Sequence, residues 1–274
     1  MAENQENQSN KFEMVLHSAM ELPGVKINRA NFLRKALSPH FGKDVVEKAI
    51  VLNPAQAGLS PKDLAPIARA CINYETTKVS GISALAGIPG GFAIAATLPA
   101  DMAQFFGHII RILQKLAYLY GWPEMFRDDH DGFDDAMSHQ LILFIGVMFG
   151  VDAANKALVK IAHAVAIAAE KKLIRMALTQ TAIYPIVKKV AGMVGVKLTK
   201  ATFAKGVGKA IPLIGALASG GITYAMFKPM SNRLENYLIG LPMASTAHYQ
   251  NLGDDIIDVD FSDVTDQQTT ESER

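Results

Sequence analysis

Five polar residues form the clearest chemical pattern in the chain: Asp101, Gln104, His108, Arg111 and Lys115, at intervals of 3, 4, 3 and 4. At about 100° per residue they fall within about 80° of arc on one helix face. Phe105, Phe106, Ile109, Ile110, Leu113 and Leu116 fill the rest of that helix, so the polar arc is narrow. Such a ladder can line a wet cleft, hold an anionic headgroup at Arg111 and Lys115, or pair with another helix through Asp101; structurally, it fits a buried salt-bridge seam that fixes helix register. It also fits the solvent face of an amphipathic helix. In a helix starting near Pro99, Asp101 falls in the first turn, where a carboxylate meets unpaired backbone N–H groups.

A second pattern is a division of charge. The whole chain is nearly neutral, at +1 over 274 residues. The stretch from Lys156 to Lys209 holds eleven basic residues and one acid, Glu170, a balance of +10. Lys156, Lys160, Lys171, Arg175, Lys188, Lys189, Lys205 and Lys209 are its candidate contacts with an anionic surface. Few aromatics interleave with these cations, which suits anionic lipid better than stacked bases and argues against nucleic acid. The last 25 residues carry eight acids and one base, a balance of −7, and read as a solvated tail.

Other chemistry finds no footing. Asp128-Asp129-His130-Asp131-Gly132 fails as a calcium loop, because aligning Gly132 with the sixth position puts Arg127 first and Ser138 last. The seven histidines show no compact ligand spacing, so no metal is expected. Gly206-Val207-Gly208-Lys209-Ala210 lacks the spacer and the hydroxyl of a phosphate loop. The single cysteine, Cys71, excludes a disulfide scaffold and an iron–sulfur cluster. No nucleophile–base pair can be named and no cofactor is implied.

The elements that position these residues read as helices. The chain is 50% hydrophobic with only 19% charged residues, and the apolar positions recur at helical spacing. The polar start gives no secretory pattern, so the chain is expected to stay where it is made. Residues 1–10 read as disordered, and 11–77 as an amphipathic cap of short helices. Within that cap, Ser60-Pro61-Lys62-Asp63 marks a helix start with proline in first position. A core follows over 78–243, then an acidic tail over 244–274.

In that core, Val79–Ala100 is uncharged for 22 residues but holds Pro89, Gly90 and Gly91. It reads as two short helices in a tight hairpin, buried in protein or entering a leaflet, rather than a straight span. Gln140–Val151 reads as a buried core helix, Asp152–Leu178 as a long Ala-rich one and Ala182–Val196 as an apolar one. Ala210–Phe227 repeats the weakened design with Pro212, Gly215, Gly220 and Gly221. The expected fold is all-α: a compact multi-helix bundle with broken, Gly/Pro-containing apolar hairpins.

The order of these blocks resembles a known family. Gly87-Ile88-Pro89-Gly90-Gly91 leads into Leu98-Pro99-Ala100-Asp101, then a helix bearing Arg111 that closes on Tyr120-Gly121. Lys209-Ala210-Ile211-Pro212-Leu213-Ile214-Gly215-Ala216 comes later, with Tyr224 after it. Over about Cys71 to Tyr237 this is similar to the bacterial EcsC protein family, named after a protein encoded beside an ABC transporter. The resemblance implies an all-helical, membrane-associated bacterial protein without established catalytic activity.

Two functional expectations follow. The first is a non-enzymatic accessory protein at the cytoplasmic face of a membrane, bound to anionic lipids and assisting a transporter or another membrane complex. The second is a soluble helical protein enclosing a lipid-like ligand, with the Asp101–Lys115 ladder lining its pocket.

Overall fold

The computed structural model describes residues 2–86, 94–126, 135–168, 184–195 and 212–257, which contain helices and no strand. In chain order these are α1 (Ala2–Met20), α2 (Arg29–Leu37), α3 (Lys43–Val51), α4 (Pro61–Ala86), α5 (Ile94–Leu119), α6 (Asp135–Met148) and α7 (Asp152–Ala168). Then come α8 (184–195), α9 (Pro212–Ile239), a 3-10 turn (Pro242–Ala244) and α10 (Thr246–Ile257). The fold is all-α.

Local chemistry sets the helix boundaries. Asn28 caps α2 by accepting from the Asn31 N–H at 2.9 Å. At the start of α4 the caps are reciprocal: Asp63 accepts from the Ser60 N–H at 2.9 Å, and Ser60 Oγ accepts from the Asp63 N–H at 3.4 Å. Pro61 then takes the first helical position, as the sequence requires. Two helices end alike, with a glycine at positive φ and paired bonds back into the last turn. For α5, the Trp122 N–H reaches Ala117 O and the Gly121 N–H reaches Tyr118 O; for α6, Val151 reaches Gly146 O and Gly150 reaches Val147 O.

One apolar core runs through the described elements, from Phe12 on α1 to Ala244 in the 3-10 turn. The most extensive helix pair is α4 with α9; α4 also packs on α5, and α1 on α5. Trp122 stands edge-on to Phe144 at 4.8 Å, joining the end of α5 to α6. As expected, the segment over Gln140–Met148 is buried all round. Close approach there depends on Gly146, where a Cβ would meet Val190 of α8 at 2.5 Å and Ala154 of α7 at 2.7 Å.

Several boundaries differ from expectation, and the differences have physical causes. The helix of residues 79–86 is the end of a 26-residue α4, because amphipathic pattern upstream of the apolar run continues the same turn. The junction placed at 77/78 therefore lies inside α4. Likewise α5 starts at Ile94, so Asp101 is its eighth residue rather than a first-turn cap. The glycine-bearing run after Pro212 is continuous helix, carried by its packing on α4 and α5.

Residues 2–10 extend α1 outward from Phe12 and Leu16, which are sunk in the core. Of the tail, 246–257 is helical, and the Asn53 side-chain amide donates to the Tyr249 hydroxyl at 2.9 Å. The Pro89-Gly90-Gly91 breaker, Asp128–Gly132, the end of the Asp152–Leu178 helix, Gly206–Lys209 and 258–274 lie outside the described residues. Among the described residues, no helix is long and apolar enough to cross a membrane.

Candidate functional site

The ladder on α5 meets a partner that the sequence reading passed over. Glu75 on α4 has a fully buried side chain, and three ladder residues converge on it. His108 Nδ1 lies 2.7 Å from Oε2, while Arg111 Nε and Lys115 Nζ donate to Oε1 at 3.2 and 2.5 Å. Burial alone would push the Glu75 carboxyl upward. The bonds from His108 and Lys115 and the charges of Lys115 and Arg111 outweigh it and hold the group down at about 2. Glu75 is therefore ionised at neutral pH and can only accept, so the His108 ring carries its proton on Nδ1 in this contact. Of the readings open for the ladder, the ion-pair seam between helices describes these three residues, with Glu75 as their shared acid.

The signal for Glu75 was present in the sequence. Leu64, Ala68, Ile72, Glu75 and Val79 recur at intervals of 4, 4, 3 and 4, and all five are buried. A carboxylate on an otherwise apolar ridge requires cations from the facing helix.

Glu75, His108 and Arg111 also border a cavity of about 340 Å³. Its walls are α4 (Tyr74, Glu75, Lys78), α5 (Gln104, His108, Arg111) and the turn between α1 and α2 (Leu22, Pro23, Val25). That turn is pinned by α5. Buried Gln114 donates to Val25 O at 2.7 Å and accepts from the Ile27 N–H at 2.8 Å, and an Arg111 guanidinium nitrogen donates to Gly24 O. Gln104 is exposed at the edge, and only the backbone of Asp101 is described. The ammonium groups of Lys78 and Lys115 each stand 5.1 Å from the centre of the Tyr74 ring.

A second polar centre lies past the end of α5. The Arg29 guanidinium donates to Trp122 O, Ile50 O, Ala49 O and Leu52 O, closing the carbonyl end of α3. Glu124 accepts from the Arg29 backbone N–H at 2.8 Å and from the Tyr118 hydroxyl at 2.9 Å. Burial and the Glu124 charge push Tyr118 well above an ordinary phenol, so it stays protonated and donates. Tyr120 likewise donates to buried Glu235 on α9 at 2.9 Å. Tyr120 entered the sequence reading only through the family resemblance, and the pairing of these acids and phenols was not foreseen, because their partners come from 6 to 115 residues away.

The candidate surface cations divide. On α7, Lys156 and Lys160 are exposed, beside exposed Val159 and His163. On α8, Lys189 is exposed, and half-buried Lys188 stands over the Tyr184 ring at 5.6 Å and donates to Asn10 at 3.4 Å. Lys171, Arg175, Lys205 and Lys209 lie outside the described residues. Cys71 is half-buried, and burial pushes its thiol up, away from the reactive thiolate. No group of His, Cys, Asp and Glu among the described residues is arranged to hold a metal. Comparison with protein-family models, curated proteins and solved structures finds no match to this chain.

Proposed function

We propose that the protein is a non-enzymatic, EcsC-like accessory protein that docks on an anionic bilayer at its cytoplasmic face and assists a membrane complex. The observation that carries this reading is the outer face of α7. Lys156 and Lys160 flank exposed Val159, with exposed His163 three residues on, which pairs cationic lysine heads with an apolar contact. Lys189 and the exposed ring of Tyr184 on α8 add the same two chemistries. Near a surface rich in anionic lipid each such cation contributes about 1 kcal/mol, and the attraction weakens as salt screens it.

Flotation of the full chain with phosphatidylglycerol and with phosphatidylcholine vesicles tests the reading. Binding to the anionic vesicles, reduced by a Lys156→Ala/Lys160→Ala/Lys189→Ala variant and by salt, is the expected result. Equal failure to float with either vesicle refutes it. A second reading, a helical protein that holds a lipid-like ligand, is favoured by the cavity that His108, Arg111 and Gln104 line.

A further inference from the structure

We propose that the cleft between α4, α5 and the α1–α2 turn binds a phosphomonoester that carries an apolar group. The proposal deepens the ligand-holding reading and is independent of bilayer docking through α7 and α8. Its first support is charge. Lys78 and Arg111 line the cleft, Lys115 stands behind it on Glu75, and Glu75 returns one negative charge, so these four side chains carry a formal 3 − 1 = +2. A phosphomonoester carries about −1.5 to −2 at neutral pH, which matches that surplus, whereas a single carboxylate leaves half of it uncompensated.

The second support is preorganisation. Arg111 is fixed at two points, on Glu75 and on Gly24 O, yet its side chain keeps 28% of its exposure. A guanidinium already held in place loses little freedom when an anion arrives. Lys78 is exposed at the mouth, its ammonium beside the Tyr74 ring that also lines the cleft. The third support is shape. Leu22, Pro23, Val25 and Ile82 give the cleft an apolar side. Its roughly 340 Å³ lies near the lower end of small-molecule sites, about 300–1,000 Å³, which admits a phosphate head and a short apolar body but no macromolecule.

Calorimetric titration of the full chain with a short-chain 1-acyl-glycerol 3-phosphate, glycerol 3-phosphate, inorganic phosphate and a short-chain lysophosphatidylcholine tests the proposal. The acyl phosphate is expected to bind at least about tenfold tighter than each of the others, and Lys78→Ala to weaken it about tenfold. Arg111→Gln is the second variant. Lys78→Ala, at an exposed position, keeps the fold intact and serves as the decisive one. Absence of acyl-phosphate binding, or binding unchanged in Lys78→Ala, overturns the proposal. Equal affinity for glycerol 3-phosphate overturns its apolar part, and equal affinity for the choline lipid overturns its charge argument.

Flotation identifies the source of the phosphate. A preference for phosphatidate over phosphatidylglycerol vesicles that Lys78→Ala removes assigns a bilayer lipid. Binding of the dissolved acyl phosphate without that preference assigns a free one. Because Lys78 lies outside the α7 and α8 face, flotation lost with titration intact defeats the docking reading alone.

Discussion

Two buried or half-buried glutamates near α5 are satisfied in opposite ways. Glu75 takes its bonds from charged side chains, with His108, Arg111 and Lys115 all on one face of α5. Glu124 takes the bonds described for it from a backbone N–H and a phenol, while neighbouring Arg29 spends its donors on carbonyls. The second arrangement closes chain ends and fixes the path from α5 toward α6. The first leaves more positive charge than its one acid neutralises, beside a cavity that opens to solvent. Two polar centres on one helix thus separate into one that completes the fold and one with charge to offer a ligand.

Neutralising each acid tests this contrast most strongly. Glu75→Gln leaves half-buried cations facing a buried amide, and should lower unfolding free energy by about 3 kcal/mol. Glu124→Gln retains one acceptor and misplaces the other, and should cost about 1–2 kcal/mol. Chemical denaturation of both variants gives the ratio, and equal losses would erase the distinction.

Gly121→Ala attacks only the second centre. The residue sits at φ +92°, and a Cβ would lie 2.4 Å from the Met243 carbonyl oxygen. A loss of about 2–4 kcal/mol is expected, with Trp122 and Glu124 displaced and acyl-phosphate binding at the first centre retained. Gly58→Ala, at φ +87° in open space, isolates the backbone contribution and should cost about 1 kcal/mol.

Acid titration isolates the charge of the first centre. The Glu75 carboxyl is held at about 2 against an ordinary 4.5, so its contribution is complete above the ordinary value and disappears as pH falls toward 2. Stability should fall by up to about 1.4 kcal/mol per pH unit through that window. In Glu75→Gln this limb should flatten, which separates Glu75 from the other carboxylates.

How far the sequence reaches can be judged residue by residue. Ser60, Pro61 and Asp63 announce a helix start because the capping bonds are local, and the structure places them there. The ladder from Gln104 to Lys115 was legible as one face because helical spacing is a property of the chain alone. Its partner was not chosen, since that depends on which helix packs opposite, although Glu75 on its apolar ridge was visible. Expected breaks failed where packing overruled composition: Gly215, Gly220 and Gly221 weaken α9 as an isolated helix, yet its contact with α4 keeps it continuous. Part of the acidic tail is helical for the same reason, Tyr249 being tied to Asn53 across 196 residues.

The uninterrupted course of α4 has a practical corollary for dividing the polypeptide. A fragment beginning at Lys78 would inherit His108, Arg111 and Lys115 without their counter-ion, together with the raw apolar flank that Leu64, Ala68 and Ile72 normally shield. The complementary front piece would strand Glu75 against no cation of α5. A truncation that removes the front 77 residues is therefore expected to report misfolding rather than a lost activity.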